Sequence, residues 1–142
     1  MAQYQAVSLR HPTVGISVLA ISTLLFIVAC APAITTVGPT GYRAAYDEVF
    51  DEVYLVMSVA EPFFIAQASR QSGRITARYR ISRPGSSTTS TWEVTAVITG
   101  TSDVSAVSYV KFGDNPLGPS IPIQDELIGF LTEHLDRRFP RY

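Results

Sequence analysis

Few side chains in this chain are suited to making or breaking bonds. Of its 142 residues one is a cysteine, Cys30, and two are histidines, of which only His134 lies beyond it. A single thiol cannot build a disulfide or a thiolate zinc site, which excludes both chemistries. His134 stands two positions before Asp136. Helical neighbours one and two residues apart do not face each other, so Asp136 does not orient an imidazole base, and a solvent-facing histidine is expected. The carboxylates Asp47, Glu48, Asp51 and Glu52 would suit a cation or an acid and base pair, but their i, i+1, i+4, i+5 spacing is that of a solvated helix face. No Gly-x-Ser-x-Gly elbow, P-loop or dinucleotide fingerprint occurs. The expectation is a noncatalytic protein with no metal and no cofactor. The residual catalytic reading, a carboxylate-based hydrolase, needs Glu93 to face Asp47 or Glu52 inside a pocket.

Cys30 has a more specific setting. Ile27, Val28 and Ala29 precede it, the run from Thr13 to Ala29 is apolar and uncharged, Arg10 lies before that run, and no acidic residue occurs before Asp47. Such an order of basic, apolar and small residues is that of an export signal. The tetrad Ile27-Val28-Ala29-Cys30 resembles the lipobox of bacterial lipoproteins. The resemblance implies that residues 1–29 are a signal peptide and that Cys30 is lipidated, carrying diacylglycerol and palmitate, and becomes the new N-terminus. Ala31 is not an aspartate, which by the sorting pattern of these proteins implies the outer membrane in a cell that has one, with the domain facing the periplasm. Two other readings stay open: an uncleaved span, the apolar run being just under the roughly 18 to 20 residues that cross a bilayer, and a secretory peptide cut after Ala29 without lipid.

About 113 residues follow the proposed cleavage point, the size of one domain with one core. A net charge of −1 lacks the basic field that a phosphate backbone requires, so nucleic acid is not an expected partner. Residues 30–41, with two prolines and three threonines and no amphipathic period, read as the lipidated cysteine and a flexible tether. Residues 42–142 read as a single domain.

Within that domain Tyr46, Val49, Phe50, Val53, Val56, Met57 and Ala60 recur at three and four, predicting a helix over 42–60 that Pro62 ends. Phe63 to Ser69 and Arg74 to Ile81 predict a hairpin turning at Gly73. Ser82 to Ser90 reads as a loop, Thr91 to Thr99 as a third strand with Trp92, Val94, Ala96 and Ile98 inward, and Val104 to Phe112 as a fourth. After a loop over 113–122, a second helix opens at Gln124, with Ile123, Leu127, Leu131 and Leu135 as its stripe and Pro140 as its stop. The expected fold class is α+β: a two-layer sandwich of a four-stranded antiparallel meander with both helices on one face. The first and fourth strands are its candidate edges.

On the second strand Arg74, Arg78 and Arg80 share the face opposite Ile75 and Ala77, with Arg70 at the adjacent turn. They form a candidate binding face for an acidic partner or anionic head groups. The competing reading is cross-strand pairing, with Glu93 neutralising one arginine. Tyr46-Asp47-Glu48-Val49-Phe50 together with Gln71-Ser72-Gly73-Arg74-Ile75-Thr76-Ala77 is similar to small BamC-like, helix-grip envelope lipoprotein domains. That resemblance implies an accessory subunit, held to the membrane by its lipid, that binds an envelope protein. A structural protein that oligomerises through an edge strand is the alternative.

Overall fold

A computed structural model describes residues 33–82, 84, 85, 87, 89–113 and 122–142. The expected signal peptide over 1–29, Cys30 and most of the loop over 113–122 lie outside them. Five strands, β1 (Ala33–Tyr42), β2 (Phe64–Ser69), β3 (Arg74–Ser82), β4 (Thr89–Gly100) and β5 (Ser105–Gly113), and two helices, α1 (Tyr46–Val59) and α2 (Pro122–Arg138), follow in the order β1-α1-β2-β3-β4-β5-α2. The sheet is antiparallel throughout, in the order β1-β5-β4-β3-β2. The fold is thus α+β, but the sheet has five strands and not four.

The added strand is the expected tether. From Ala33 the chain pairs with β5, Ala33 opposite Gly113 and Tyr42 opposite Ser105. Thr35, Thr36 and Val37 are β-branched and fit a pleated surface, and the prolines and glycines that argued for a linker are accommodated because β1 is an edge. The register shifts between Val37 and Thr40, where Gly38 adopts φ +100° and a Cβ would meet the Val107 carbonyl at 3.0 Å. Two boundaries change in consequence. Tyr42 belongs to β1, so the first helix starts at Tyr46, and β5 is an inner strand, so the edges are β1 and β2.

Alternation carries the core. Ile75 and Ala77 on β3, Val94, Ala96 and Ile98 on β4, and Val107 and Tyr109 on β5 are buried. Val49, Phe50, Val53, Val56 and Met57 of α1 and Leu127, Ile128, Leu131 and Leu135 of α2 cover that same face. A fully buried side chain such as Leu131 contributes roughly 1.5–3 kcal/mol. Gly73 closes the β2–β3 turn at φ +65°, with a Cβ position 2.1 Å from the Ile98 carbonyl oxygen, a place only glycine can fill. The helix ends follow their sequence signals: Asp47 and Glu48 lie in the first turn of α1 and Arg137 and Arg138 in the last turn of α2, each matched to the helix dipole. Pro122 opens α2 two residues earlier than Gln124, at the position where a missing N–H costs nothing.

Candidate functional site

The arginine face is only partly assembled. Arg78 lies opposite Glu93 in the β3–β4 register, and its Nε and Nη2 both reach Glu93 Oε1 at 2.5 Å. Their side chains are 31% and 22% exposed, so this pair is held by the sheet as well as by charge. Arg80 lies over the Phe64 ring, 5.9 Å from its centroid, and Arg74 is exposed. Arg70 is not part of this face. Its Nη1 donates to Asp47 Oδ1 at 2.9 Å, its Nη2 donates to Asp51, and its guanidinium covers Phe50 at 4.6 Å, which ties the β2–β3 turn to the start of α1. Hydrogen bonds to Asp51 and then Asp47 raise its pKa further. The remaining surface between the arginines and β1 is uncharged: Thr76 and Thr95 share a hydroxyl hydrogen bond of 2.9 Å, and Val97, Val110 and Phe112 are half-buried beside them.

The carboxylates do not converge. Glu93 is bound to Arg78 on the open face of the sheet, whereas Glu52 lies in the helix layer, accepting from Arg138 Nε at 2.9 Å and meeting His134 Nε2 at 2.9 Å. The sheet stands between them, and Asp47 turns to Arg70. His134 is consequently not solvent-facing as expected: it is half-buried, and its partner is on the other helix and not its near neighbour Asp136. Asp136 instead accepts from Arg141 Nε at 2.6 Å and from the Tyr42 hydroxyl at 3.3 Å. Arg141 holds the Asp136 carboxyl below its ordinary range, and burial with Asp136 alongside pushes the Tyr42 phenol far up. Among the described residues no group of three or more His, Cys, Asp or Glu is arranged to hold a metal ion.

Two polar residues escaped sequence reasoning. Gln124 occupies the inward stripe of α2, and its Nε2 donates to the carbonyls of Glu93 at 2.8 Å and Phe112 at 2.9 Å, fastening the helix start to adjacent strands. A polar residue in an apolar stripe was the available signal. Tyr109 is buried among the core residues, and burial pushes its phenol up to about 12. Its hydroxyl makes no hydrogen bond of ordinary geometry among the described residues; the Thr132 side chain lies beside it and works against the rise, while donating to the Ile128 carbonyl at 2.8 Å.

At the end of the sandwich where α1 stops and α2 begins, a cleft of about 230 Å3 is lined by Ala60, Glu61, Phe63, Ile123, Glu126, Leu127 and Phe130. An aromatic row runs beside it from Phe63 to Tyr79 at 5.9 Å and from Tyr79 to Trp92 at 6.4 Å. None of the described helices is long and apolar enough to cross a membrane.

No family model matches the chain, and no curated protein matches it. Among solved structures, a protein from Thermus thermophilus is similar with a TM-score of 0.38 and 11% identity, covering 75% of this chain and 96% of that one. A DUF4468 family protein from Bacteroides ovatus is similar with a TM-score of 0.33 and 8% identity, covering 75% of this chain and 82% of that one. Likeness at this level transfers no activity, ligand or partner.

Proposed function

We propose that the protein is a lipid-anchored envelope lipoprotein, noncatalytic, whose domain binds another envelope protein at the face of the membrane that holds it. The observation that carries the reading is the tetrad Ile27-Val28-Ala29-Cys30 at the end of an uncharged apolar run preceded by Arg10. The dispersal of the carboxylates between opposite sides of the sheet supports a binding role over a carboxylate-based hydrolase. The open sheet face, with Arg74, Arg78 and Arg80 bordering Val97, Val110 and Phe112, is the surface we assign to the partner. Metabolic labelling with a palmitate analogue tests the anchor: label is expected on the wild type and absent from Cys30→Ala, and an unlabelled wild-type chain that still begins at Met1 overturns it. In-cell crosslinking with mass spectrometry tests the face. Replacing Arg74, Arg78 and Arg80 together with Ser is expected to remove the crosslinked neighbour while the protein stays folded and anchored, and an unchanged neighbour rejects the assignment.

Self-association through β2 is the second reading. Phe64 to Ser69 is an edge without a single charge, interrupted by a bulge between Ile65 and Gln67. Concentration-dependent sedimentation that Gln67→Lys abolishes would favour it.

A further inference from the structure

The ends of the strands define one level of the domain. Ala33 pairs with Gly113 and Gly113 with Trp92, so the first residue of β1 is level with the end of β5 and with Trp92 on β4. The β3–β4 hairpin continues past this level to the Ser82 and Thr89 pair, three residues and about 10 Å farther at the rise of a strand. Cys30 is three residues before Ala33, a reach of at most about 11 Å. An anchor at Cys30 therefore has a reach about equal to the distance that the hairpin itself extends.

The side chains at this end suit that position. Ile34 at the start of β1 is 65% exposed, Val59 at the end of α1 is 68% exposed, and Phe64 at the start of β2 is 45% exposed. Ile34 and Phe64 mark the two edges of the sheet and Val59 marks the helix layer, with the Ala60, Phe63, Ile123 and Phe130 cleft opening beside Val59. Arg80, exposed on the protruding hairpin, supplies a cation of the kind that reaches head groups from an apolar stem. The opposite end carries more charge: Arg43, Arg70, Asp103, Arg137, Arg138 and Arg141 are exposed there, beside the exposed Val104 and Tyr142.

We propose that the apolar end of the sandwich rests in the head-group layer of the membrane that holds Cys30, so that the sheet stands upright on its β3–β4 hairpin with the charged end turned outward. This rests on the anchor proposed above. Glu61 and Glu126 at the cleft outnumber Arg80, so seating does not draw on anionic lipid, and the surface recognised is the head-group and acyl boundary of an uncharged bilayer.

The test uses the full lipidated chain in phosphatidylcholine vesicles. Acylation consumes the only cysteine thiol, so single variants Val59→Cys, Phe64→Cys, Thr36→Cys, Gln71→Cys and Asp103→Cys each take one environment-sensitive maleimide dye. Nitroxide-bearing phosphatidylcholine is then added as quencher. Quenching at least threefold stronger at positions 59 and 64 than at 71 and 103 is expected. Equal quenching everywhere, none anywhere, or quenching strongest at position 36, which would lay the domain on its β1 edge, overturns the seating while the anchor stands. A parent chain that takes dye at Cys30 and does not float with the vesicles overturns the anchor, and the seating falls with it.

Discussion

Replacing Gln124 with Met keeps the length of the side chain and removes only its amide. The wild-type residue is 8% exposed and gives both amide hydrogens to main-chain carbonyls of β4 and β5, at 2.8 and 2.9 Å. Two neutral hydrogen bonds, each worth a net 0.5–1.5 kcal/mol, amount to about 2 kcal/mol. Met recovers little of this, because the two carbonyls remain under the helix without the donor that the fold placed there. With a urea dependence of about 2 kcal/mol per M for a domain of this size, the unfolding midpoint should fall by about 1 M. Trp92, the single tryptophan, is next to Glu93 on β4 and reports the transition by fluorescence of the full chain in nonionic detergent. A midpoint that is unchanged or raised, at unchanged slope, would refute the inference that these carbonyls depend on Gln124.

The core and the termini make three further predictions. Tyr109→Phe removes a buried hydroxyl without a partner and should raise stability by about 1 kcal/mol, seen as a higher thermal midpoint; a lower midpoint would mean that the hydroxyl is bonded. Gly73→Ala should destabilise by more than about 2 kcal/mol, since φ +65° alone costs an L-residue about 1–2 kcal/mol and the added Cβ would collide with the Ile98 carbonyl; calorimetry checks it. The depressed Asp136 pKa means that its ionised form favours the folded state, so its contribution is present at neutral pH and is lost as pH falls through the lowered folded-state value. Asp136→Asn should therefore flatten the acid limb of stability against pH, and a limb of unchanged slope would exclude the role assigned to it.

The inner strands and both helices were legible because one period decides each of them. Ile75 and Ala77 alternate with charged and polar neighbours, as do Val94, Ala96 and Ile98, and the same alternation put Arg78 and Glu93 on one face before their register was known. β1 was not legible, because Gly38, Pro39 and the threonines read equally well as a linker until an edge position is given to them. Arg70 was misplaced for a related reason: a turn residue has no face of its own, and only the approach of α1 offered it Asp47 and Asp51. The contact between His134 and Glu52 required the rotation of one helix against the other, which neither helix encodes alone. Gln124 was visible as a break in an apolar stripe but gave no sign of which carbonyls it would meet.

Among the described strands the first pairs with the last. A chain delivered N-terminus first exposes β1 long before β5 exists, so β2, β3 and β4 can begin to associate while the sheet remains one edge short. Closure is then the latest event and the one with the longest separation along the chain, the kind of contact that slows folding. Were the segment just ahead of β1 processed as proposed, the enzymes acting on it would gain that interval to work on a strand not yet docked.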